Sequence, residues 1–97
     1  MSKKGIKGDS SAERLIKIKF KDPQLPPDKQ LREKYINVNG LVYHAVIKAR
    51  EAFDIPETVP IALLHRGKRL NPDSTVKDYG VKENDLLMIV PDQIKGG

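Results

Sequence analysis

Charged and apolar residues alternate in two stretches of the first half of the chain. The apolar members of this pattern are Ile16, Ile18, Phe20, Ile36 and Val38. A period of two is typical of a strand that has one face on a core and the other face in water. We therefore predict strands over residues 14–20 and 31–39. The proline-rich residues 21–29 between them interrupt the ladder, because proline removes a backbone donor.

A different period follows the second predicted strand. Apolar residues recur there at the spacing of a helix, at Leu41, Val42, Ala45, Val46, Ala49, Ala52 and Phe53. Asn39-Gly40 alone is typical of a hairpin turn, but the spacing after it predicts a helix over residues 41–53. Asn39 is then the predicted N-cap. Pro56 predicts where the helix ends, because the residue before a proline avoids the helical region.

The second half of the chain combines short apolar runs with turns. Residues 61–65 and 86–90 have the composition and length of strands. Gly67 predicts a turn after the first run, and residues 75–79 predict a short helical turn that ends at Gly80 with a positive φ. The complete order predicts an α+β fold, in which a mixed sheet of four to five strands packs on one main helix.

Length and composition limit how the chain is organised. Its 97 residues, 38% of them hydrophobic and none of them Trp, predict a single domain with an aliphatic core. We predict a disordered tail at residues 1–12, the folded domain at 13–91 and a flexible tail at 92–97. The first tail is rich in Lys, Gly and Ser, which bury too little apolar surface to offset the entropy of ordering.

The chain contains no Cys, and its two histidines have no partner at metal-ligand spacing. A disulfide scaffold, a thiolate zinc site and a Cys nucleophile are therefore excluded. We expect His44 on the helix surface and His65 at the edge of the core. No phosphate-binding loop, catalytic triad or paired-carboxylate site is recognisable. We expect no cofactor and no enzymatic activity.

The net charge of +5 in general suggests a nucleic-acid partner. Here the basic residues are interleaved with acids, and few aromatic residues are available to stack on bases. The longest apolar run, residues 86–90, is too short to span a membrane, and the N-terminal lysines precede no apolar signal segment. We expect a cytoplasmic monomer that binds neither nucleic acid nor membrane.

Residues 65–90 resemble the second half of ubiquitin. The matching elements, at near-identical spacing, are Gly67-Lys68, Leu70, Ser74-Thr75-Val76, Asp78-Tyr79 and the strand from Leu86 to Val90. Ile55-Pro56 is similar to the dipeptide after the ubiquitin helix, and Gly96-Gly97 is similar to the end of a ubiquitin-type modifier. Over roughly residues 14–97 the chain is identified as a divergent member of the ubiquitin family. The resemblance implies the β-grasp fold.

The resemblance also implies a protein modifier that is conjugated through Gly96 and Gly97. In such a system an ATP-dependent activating enzyme adenylates the terminal carboxylate, and a Cys of that enzyme then takes the acyl group. A conjugating enzyme and a deconjugating protease are the other implied partners, and a target lysine receives the modifier as an isopeptide. This chain supplies only the acyl group. Residues 92–95 depart from the arginine-rich tail of the family and keep a positive charge only at Lys95.

Strand alternation predicts an apolar outer face on the sheet. An exposed apolar patch on a small protein usually marks a contact site. By the resemblance, the partner-binding patch consists of Leu64, Met88, Val90 and Leu25. Lys68 matches a chain-linking lysine of ubiquitin, although ordinary solubility also explains a surface lysine. Two alternatives remain for the outer face. In one, the C-terminal tail covers it through Ile94, and in the other, it forms a homodimer contact.

Two other functions are compatible with the same features. A non-conjugated ubiquitin-like binding domain would act through Leu64, Met88 and Val90 alone, and Gly97 would have no chemical role. A sulfur carrier would share the β-grasp fold and the Gly-Gly end but would form a terminal thiocarboxylate. The regions around Gly67-Lys68 and Asp78-Tyr79 are more similar to ubiquitin, and they favour the modifier over the sulfur carrier.

Overall fold

The computed structural model describes residues 14–92, and a five-stranded sheet is its framework. The elements are β1 (Leu15–Lys21), β2 (Leu31–Asn37), α1 (Val42–Phe53), β3 (Ile61–His65), β4 (Lys68–Arg69) and β5 (Leu86–Pro91). The strand order is β2-β1-β5-β3-β4, in which β1 and β5 are parallel and the other neighbours are antiparallel. One helix on a mixed five-stranded sheet confirms the predicted architecture. Of the predicted tails at residues 1–12 and 92–97, residues 1–12 and 93–97, including Gly96 and Gly97, lie outside the described residues, whereas Asp92 is described and bonds to Pro60 and Arg69.

The core forms between α1 and one face of the sheet. Alternate residues of β1 enter it, as the period-two pattern predicts, together with Ile36 of β2, Val38 and the small residues of the helix. The most deeply buried side chains are Ile18, Phe20, Val42, Leu63, Leu70, Val76 and Leu87. Each large aliphatic or aromatic side chain buried in this way contributes about 1.5–3 kcal/mol of transfer free energy. The sheet face that holds them is called the inner face below.

The predicted N-cap of the helix is wrong. The helix begins at Val42 and follows Leu41 in an extended conformation, while the N–H of Asn39 donates to the side-chain oxygen of Asn37 at 3.0 Å. The first helical N–H groups find acceptors in a distant loop instead. Val42 donates to the carbonyl of Ser74 at 2.8 Å, and Tyr43 donates to that of Pro72 at 3.0 Å. A tertiary contact therefore replaces the local cap that the sequence suggested.

The other turns follow the sequence prediction more closely. The helix ends at Asp54, which has a φ of 55° and donates its N–H to the carbonyl of Arg50. Arg66 and Gly67 form the two-residue connection between β3 and β4, with φ values of 55° and 80°. Gly80 closes a short 3-10 turn at a φ of 70°. Among residues 14–92, no helix has both the length and the apolar character needed to cross a membrane.

Candidate protein-interaction surface

The register of the sheet defines which side chains share its outer face. One row across this face takes one residue from each strand in the order Leu31, Lys21, Met88, Leu64 and Arg69. These residues alternate along their strands with the buried core residues, so they lie on the side away from α1. The centre of the row is apolar, and both flanking positions next to the centre are basic.

The apolar centre continues along β3 and β5. Met88 pairs with Leu64, and Val90 pairs with Ala62 on the same face. The structure therefore brings together the three predicted strand residues Leu64, Met88 and Val90, which we call the apolar patch. All three are half-buried, and Leu86 at the start of β5 is 40% exposed.

Leu25, the fourth residue predicted for this surface, lies in the loop between β1 and β2. It is half-buried, and its carbonyl accepts a hydrogen bond from the side-chain amide of Gln30 at 2.8 Å. The loop approaches the apolar patch through other residues, because Asp22 and Gln24 line a small cavity together with Val90. The first residues of the loop therefore lie beside the Val90 end of the patch.

A row of lysines runs along β1 on the outer face. Lys17, Lys19 and Lys21 are all half-buried. Lys19 lies beside Leu86 and Lys21 lies beside Met88 in the parallel pairing of β1 with β5. The sequence contained the signal for this row, since these lysines separate the buried residues of the first strand. Their position next to the apolar patch depends on the strand order, which the alternation alone does not show.

Lys68, the lysine that matches a chain-linking position, lies on the short edge strand β4. It is exposed, and its ammonium nitrogen is 5.5 Å from the centroid of the Tyr79 ring. That distance permits a cation–π contact worth about 0.5–1 kcal/mol at an exposed site. Tyr79 in turn accepts a hydrogen bond from the N–H of Asn71 at 2.9 Å through its hydroxyl oxygen. Lys68 is therefore accessible, and its ammonium group lies over an aromatic ring that a hydrogen bond holds in place.

His65 lies at the edge of the core, as predicted, and its partner was not foreseen. Its side chain is 6% exposed, and its Nε2 lies 2.9 Å from Oδ2 of Asp85. The same oxygen accepts the N–H of Lys82 at 2.9 Å. Partial burial of Asp85 opposes its ionisation, but the Lys82 hydrogen bond and the His65 contact outweigh burial and lower the pKa of the carboxyl group. The pair joins β3 to the loop before β5.

His44 is exposed on α1, also as predicted. Its ring lies beside that of Tyr43, with 5.7 Å between the two ring centroids. Within residues 14–92, no group of His, Asp and Glu side chains has the geometry to hold a metal ion. The two histidines therefore play separate roles, one on the helix surface and one in the hydrogen bond with Asp85 at the edge of the core.

A second apolar surface lies in a groove between α1 and β2, and sequence reasoning missed it. The exposed apolar residues that line it are Leu15, Tyr35 and Ile47. β2 is an edge strand. The N–H of Val38 donates to the carbonyl of Arg14, and the N–H of Asp22 donates to the carbonyl of Gln30. Between these two bonds, every second residue of β2 therefore bonds to β1. The backbone groups of the intervening residues point outward.

Comparisons with known proteins agree with this architecture. A de novo design based on ubiquitin superposes with a TM-score of 0.70 at 14% identity, over 86% of this chain and 95% of that chain. The ubiquitin of Caldiarchaeum subterraneum superposes with a TM-score of 0.68 at 20% identity, over 87% and 100%. A structure described as "Molecular Mimicry of SUMO promotes DNA repair" gives 0.66 at 18% identity, over 81% and 94%. At these identities the likeness shows the fold, which is ubiquitin-like.

Sequence comparison supports the same fold. The family described as "Ubiquitin-2 like Rad60 SUMO-like" matches residues 45–90, a little under half of the chain. The matched segment runs from the first turn of α1 into β5 and includes Leu64, Met88 and Val90. A search of curated protein sequences gives no match.

Proposed function

We propose that this ubiquitin-like protein is a modifier that is joined to target lysines through Gly97 and recognised through the apolar patch. The observation that carries the proposal is the patch itself, which occupies the outer face of a ubiquitin-like sheet. A one-sided sheet normally presents polar side chains to water. Leu64, Met88 and Val90 instead form a continuous apolar area on this face. Such an area is typical of a surface that receives partners.

Two contacts of Asp92 hold the end of β5 at the sheet. The N–H of Asp92 donates to the carbonyl of Pro60 at 3.0 Å, and its carboxylate binds the guanidinium of Arg69. These contacts hold Asp92 at the sheet, beside Arg69 of the outer face. An activating enzyme that takes Gly96 and Gly97 into a narrow channel would then contact the sheet as well. We place these reactions in the cytoplasm.

Conjugation is tested by searching a proteome of the source organism for lysines that carry Gly-Gly after trypsin digestion. Trypsin cuts after Lys95, so every conjugated target retains the last two residues as a mark. We expect marks that disappear in a strain that lacks the gene. Re-expression of the natural sequence should restore them, and re-expression of a Gly97→Ala variant should not. Marks that persist in the deletion strain belong to other modifiers, and the absence of any mark that depends on the gene would contradict the proposal.

Recognition through the patch is tested separately from conjugation. Leu64→Asp places a charge in the centre of the apolar patch and should weaken partner binding by about 2 kcal/mol or more, as loss of a central contact does. Tyr43→Asp is the matched control, because Tyr43 is 54% exposed on the opposite side of the molecule. The measurement is isothermal titration calorimetry, in which the protein that recognises a conjugated target is titrated into each variant and the affinities are compared. Equal affinities of the two variants would show that the patch is not the recognition surface.

A non-conjugated binding domain is the second candidate function, and the groove between α1 and β2 favours it. An edge strand with outward backbone groups can accept a further strand from a partner, and a neighbouring apolar groove can hold that partner's side chains. β2 and the exposed Tyr35 and Ile47 have this arrangement. This function requires no Gly97 chemistry, so it predicts partner binding without gene-dependent Gly-Gly marks.

A sulfur carrier gives a third, distinct outcome. It would also leave no isopeptide marks, but the terminal carboxylate of the native protein would become a thiocarboxylate. Intact-mass measurement of the protein isolated from its source detects the replacement of one oxygen by sulfur. The three functions therefore separate on two measurements.

A further inference from the structure

The solvent-facing side of α1 is apolar near its middle, where a surface helix normally presents polar side chains. Tyr43 is 54% exposed and Ile47 is 36% exposed. With the loop that follows the helix, they border an open cavity of about 640 Å³. Its apolar lining, which defines what we call the helix groove, consists of Tyr43, Val46, Ile47, Ile55 and Pro56. The groove between α1 and β2 is a separate cavity that shares Ile47 and Glu51 with it.

Carboxylates outnumber cations on the rim of the helix groove. Its charged lining residues are Arg50, Glu51, Asp54 and Glu57. The guanidinium of Arg50 donates to a backbone carbonyl of the loop after the helix, so this cation is already engaged. Glu51 lies 3.7 Å from the ammonium nitrogen of Lys48. Among residues 14–92, neither Asp54 nor Glu57 has a cationic side chain within ion-pair distance. The rim therefore offers two uncompensated carboxylates.

The carboxylate of Asp54 is available to a partner because the fold uses only the backbone of this residue. Asp54 ends α1 with a φ of 55°, and its N–H donates to the carbonyl of Arg50. Its side chain has no hydrogen-bond partner within residues 14–92. The last carbonyl groups of a helix carry partial negative charge, which favours a cation beside them and not a carboxylate. A cationic group of a partner would therefore be stabilised by the helix end and by Asp54 together.

We propose that the helix groove binds a basic segment of a partner protein, in which one large apolar side chain lies between lysines or arginines. The apolar side chain packs on Tyr43, Ile47 and Ile55, and the cations contact Asp54 and Glu57. The cavity is within the range of about 300–1,000 Å³ that is typical of ligand pockets, so it accommodates such a side chain. This inference goes beyond the function proposed above, because the groove lies on α1, away from the outer face of the sheet.

The charge of the groove favours a basic protein segment over other occupants. A nucleic acid would bring its phosphates next to Asp54 and Glu57, and the like charges would repel each other. A second copy of the chain in a two-fold dimer would place the same carboxylates of both copies against one another, and juxtaposed like charges weaken an interface. A basic segment with an apolar side chain is complementary both to the lining of the groove and to its rim.

The test begins with a random peptide library that is displayed on phage and selected on the full chain. Peptides of about 12 residues are used, because as a helix they extend about 18 Å, which matches the 12 residues of α1. Clones that also bind a Tyr43→Ala variant are removed. Tyr43 lines the helix groove and does not line the groove between α1 and β2, so the remaining peptides depend on the helix groove. We expect them to share one large apolar residue with lysine or arginine on both sides.

The role of the carboxylates is tested with an Asp54→Asn, Glu57→Gln double variant. Asparagine also adopts a positive φ at helix ends, so the end of α1 is retained. The affinity of the selected peptides should fall by about tenfold or more. Glu33→Gln, Glu83→Gln is the matched control, because it removes two exposed carboxylates that do not line the groove. It should leave the affinities unchanged. Circular dichroism of each variant establishes that it remains folded.

Four results would overturn the inference in distinguishable ways. A selection without any Tyr43-dependent peptide would reject the groove as a binding surface. Groove-dependent peptides that are neutral or acidic, or that bind the Asp54→Asn, Glu57→Gln variant equally well, would reject the basic partner. Peptides that bind only a chain without residues 1–12, where lysines flank Ile6, would assign the groove to the N-terminal segment of this chain. Self-association in analytical ultracentrifugation that Tyr43→Ala abolishes would assign it to a second copy.

Discussion

The two faces of the sheet use the same strands in opposite ways. On the inner face, side chains such as Phe20 and Leu87 are fully buried under α1. On the outer face, their immediate neighbours Lys21 and Met88 are half-buried, and nothing within residues 14–92 packs over them as a second layer. One backbone therefore carries both a core and a candidate interaction surface. Apolar character alone therefore does not distinguish the two roles along β5, where every residue from Leu86 to Val90 is apolar.

The largest expected difference between the faces comes from adjacent residues of β5. Leu87→Ala should reduce the free energy of unfolding by about 2–5 kcal/mol, because it removes fully buried methyl groups and leaves a cavity. Met88→Ala, one residue further on and facing outward, should reduce it by about 1 kcal/mol or less, since the site is open to water. Urea unfolding followed by circular dichroism measures both. Equal losses would mean that the outer face is as much part of the core as the inner face.

An intermediate effect is expected at the polar edge of the inner face, where His65 contacts Asp85. Asp85→Asn removes the negative charge and should lower the free energy of unfolding by about 1.5–3 kcal/mol near neutral pH, the range for a hydrogen bond with a charged group. The pKa of Asp85 is lower in the folded protein than its reference value of 3.8. Its contribution is therefore complete above that value and is lost as the pH falls through the folded pKa.

Unfolding curves at a series of pH values test this assignment. The stability difference between the natural sequence and Asp85→Asn should be largest near neutral pH and should shrink below a pH of about 4. A difference that stays constant through the acid range would show that the carboxylate charge contributes nothing. Lys77→Gln, which changes one charge outside this pair, is the control for the general effect of acid on the protein.

The smallest effect is expected from the ion pair at the far end of the lysine row. Lys17 and Glu33 lie on the outer face with 3.8 Å between their charged atoms, and their side chains are 37% and 52% exposed. Exposed pairs of this kind contribute about 0–1 kcal/mol, with the lower values more common. A double-mutant cycle with Lys17→Ala and Glu33→Ala should give a coupling energy below about 0.5 kcal/mol. A larger coupling would mean that the outer face helps to specify the fold.

The predicted elements and the observed ones agree best where the pattern was strictly local. β3 occupies residues 61–65 as predicted, and β1 and β5 differ from their predictions by one residue at their ends. β2 ends at Asn37, two residues earlier than predicted, and residues 38–40 form the turn before the helix. The N-cap could not be predicted because the acceptors for the first helical N–H groups come from Pro72 and Ser74, far along the chain. A prediction that uses only the residues next to the helix start cannot detect such a contact.

The sequence predicted which apolar residues form the candidate surface, but it did not predict which charged residues lie beside them. Alternation together with the family resemblance placed Leu64, Met88 and Val90 on one face, because side chains in a strand point to opposite sides in turn. Alternation says nothing about which strands are neighbours. The pairing of β1 with β5 places Lys19 and Lys21 beside the patch, and the pairing of β3 with β4 brings Arg69 next to Leu64. Arg69 then meets Asp92, twenty-three residues later in the chain.

The sequence by itself thus determined the order of the elements, the composition of the core and the faces of each strand, since all three follow from spacing along the chain. Only the tertiary structure decided the strand order, the anchoring of the helix start and the partner of His65. Those features depend on contacts between residues that are distant in sequence. The charge asymmetry of the outer face belongs to the second group, because it arises from which strands lie side by side.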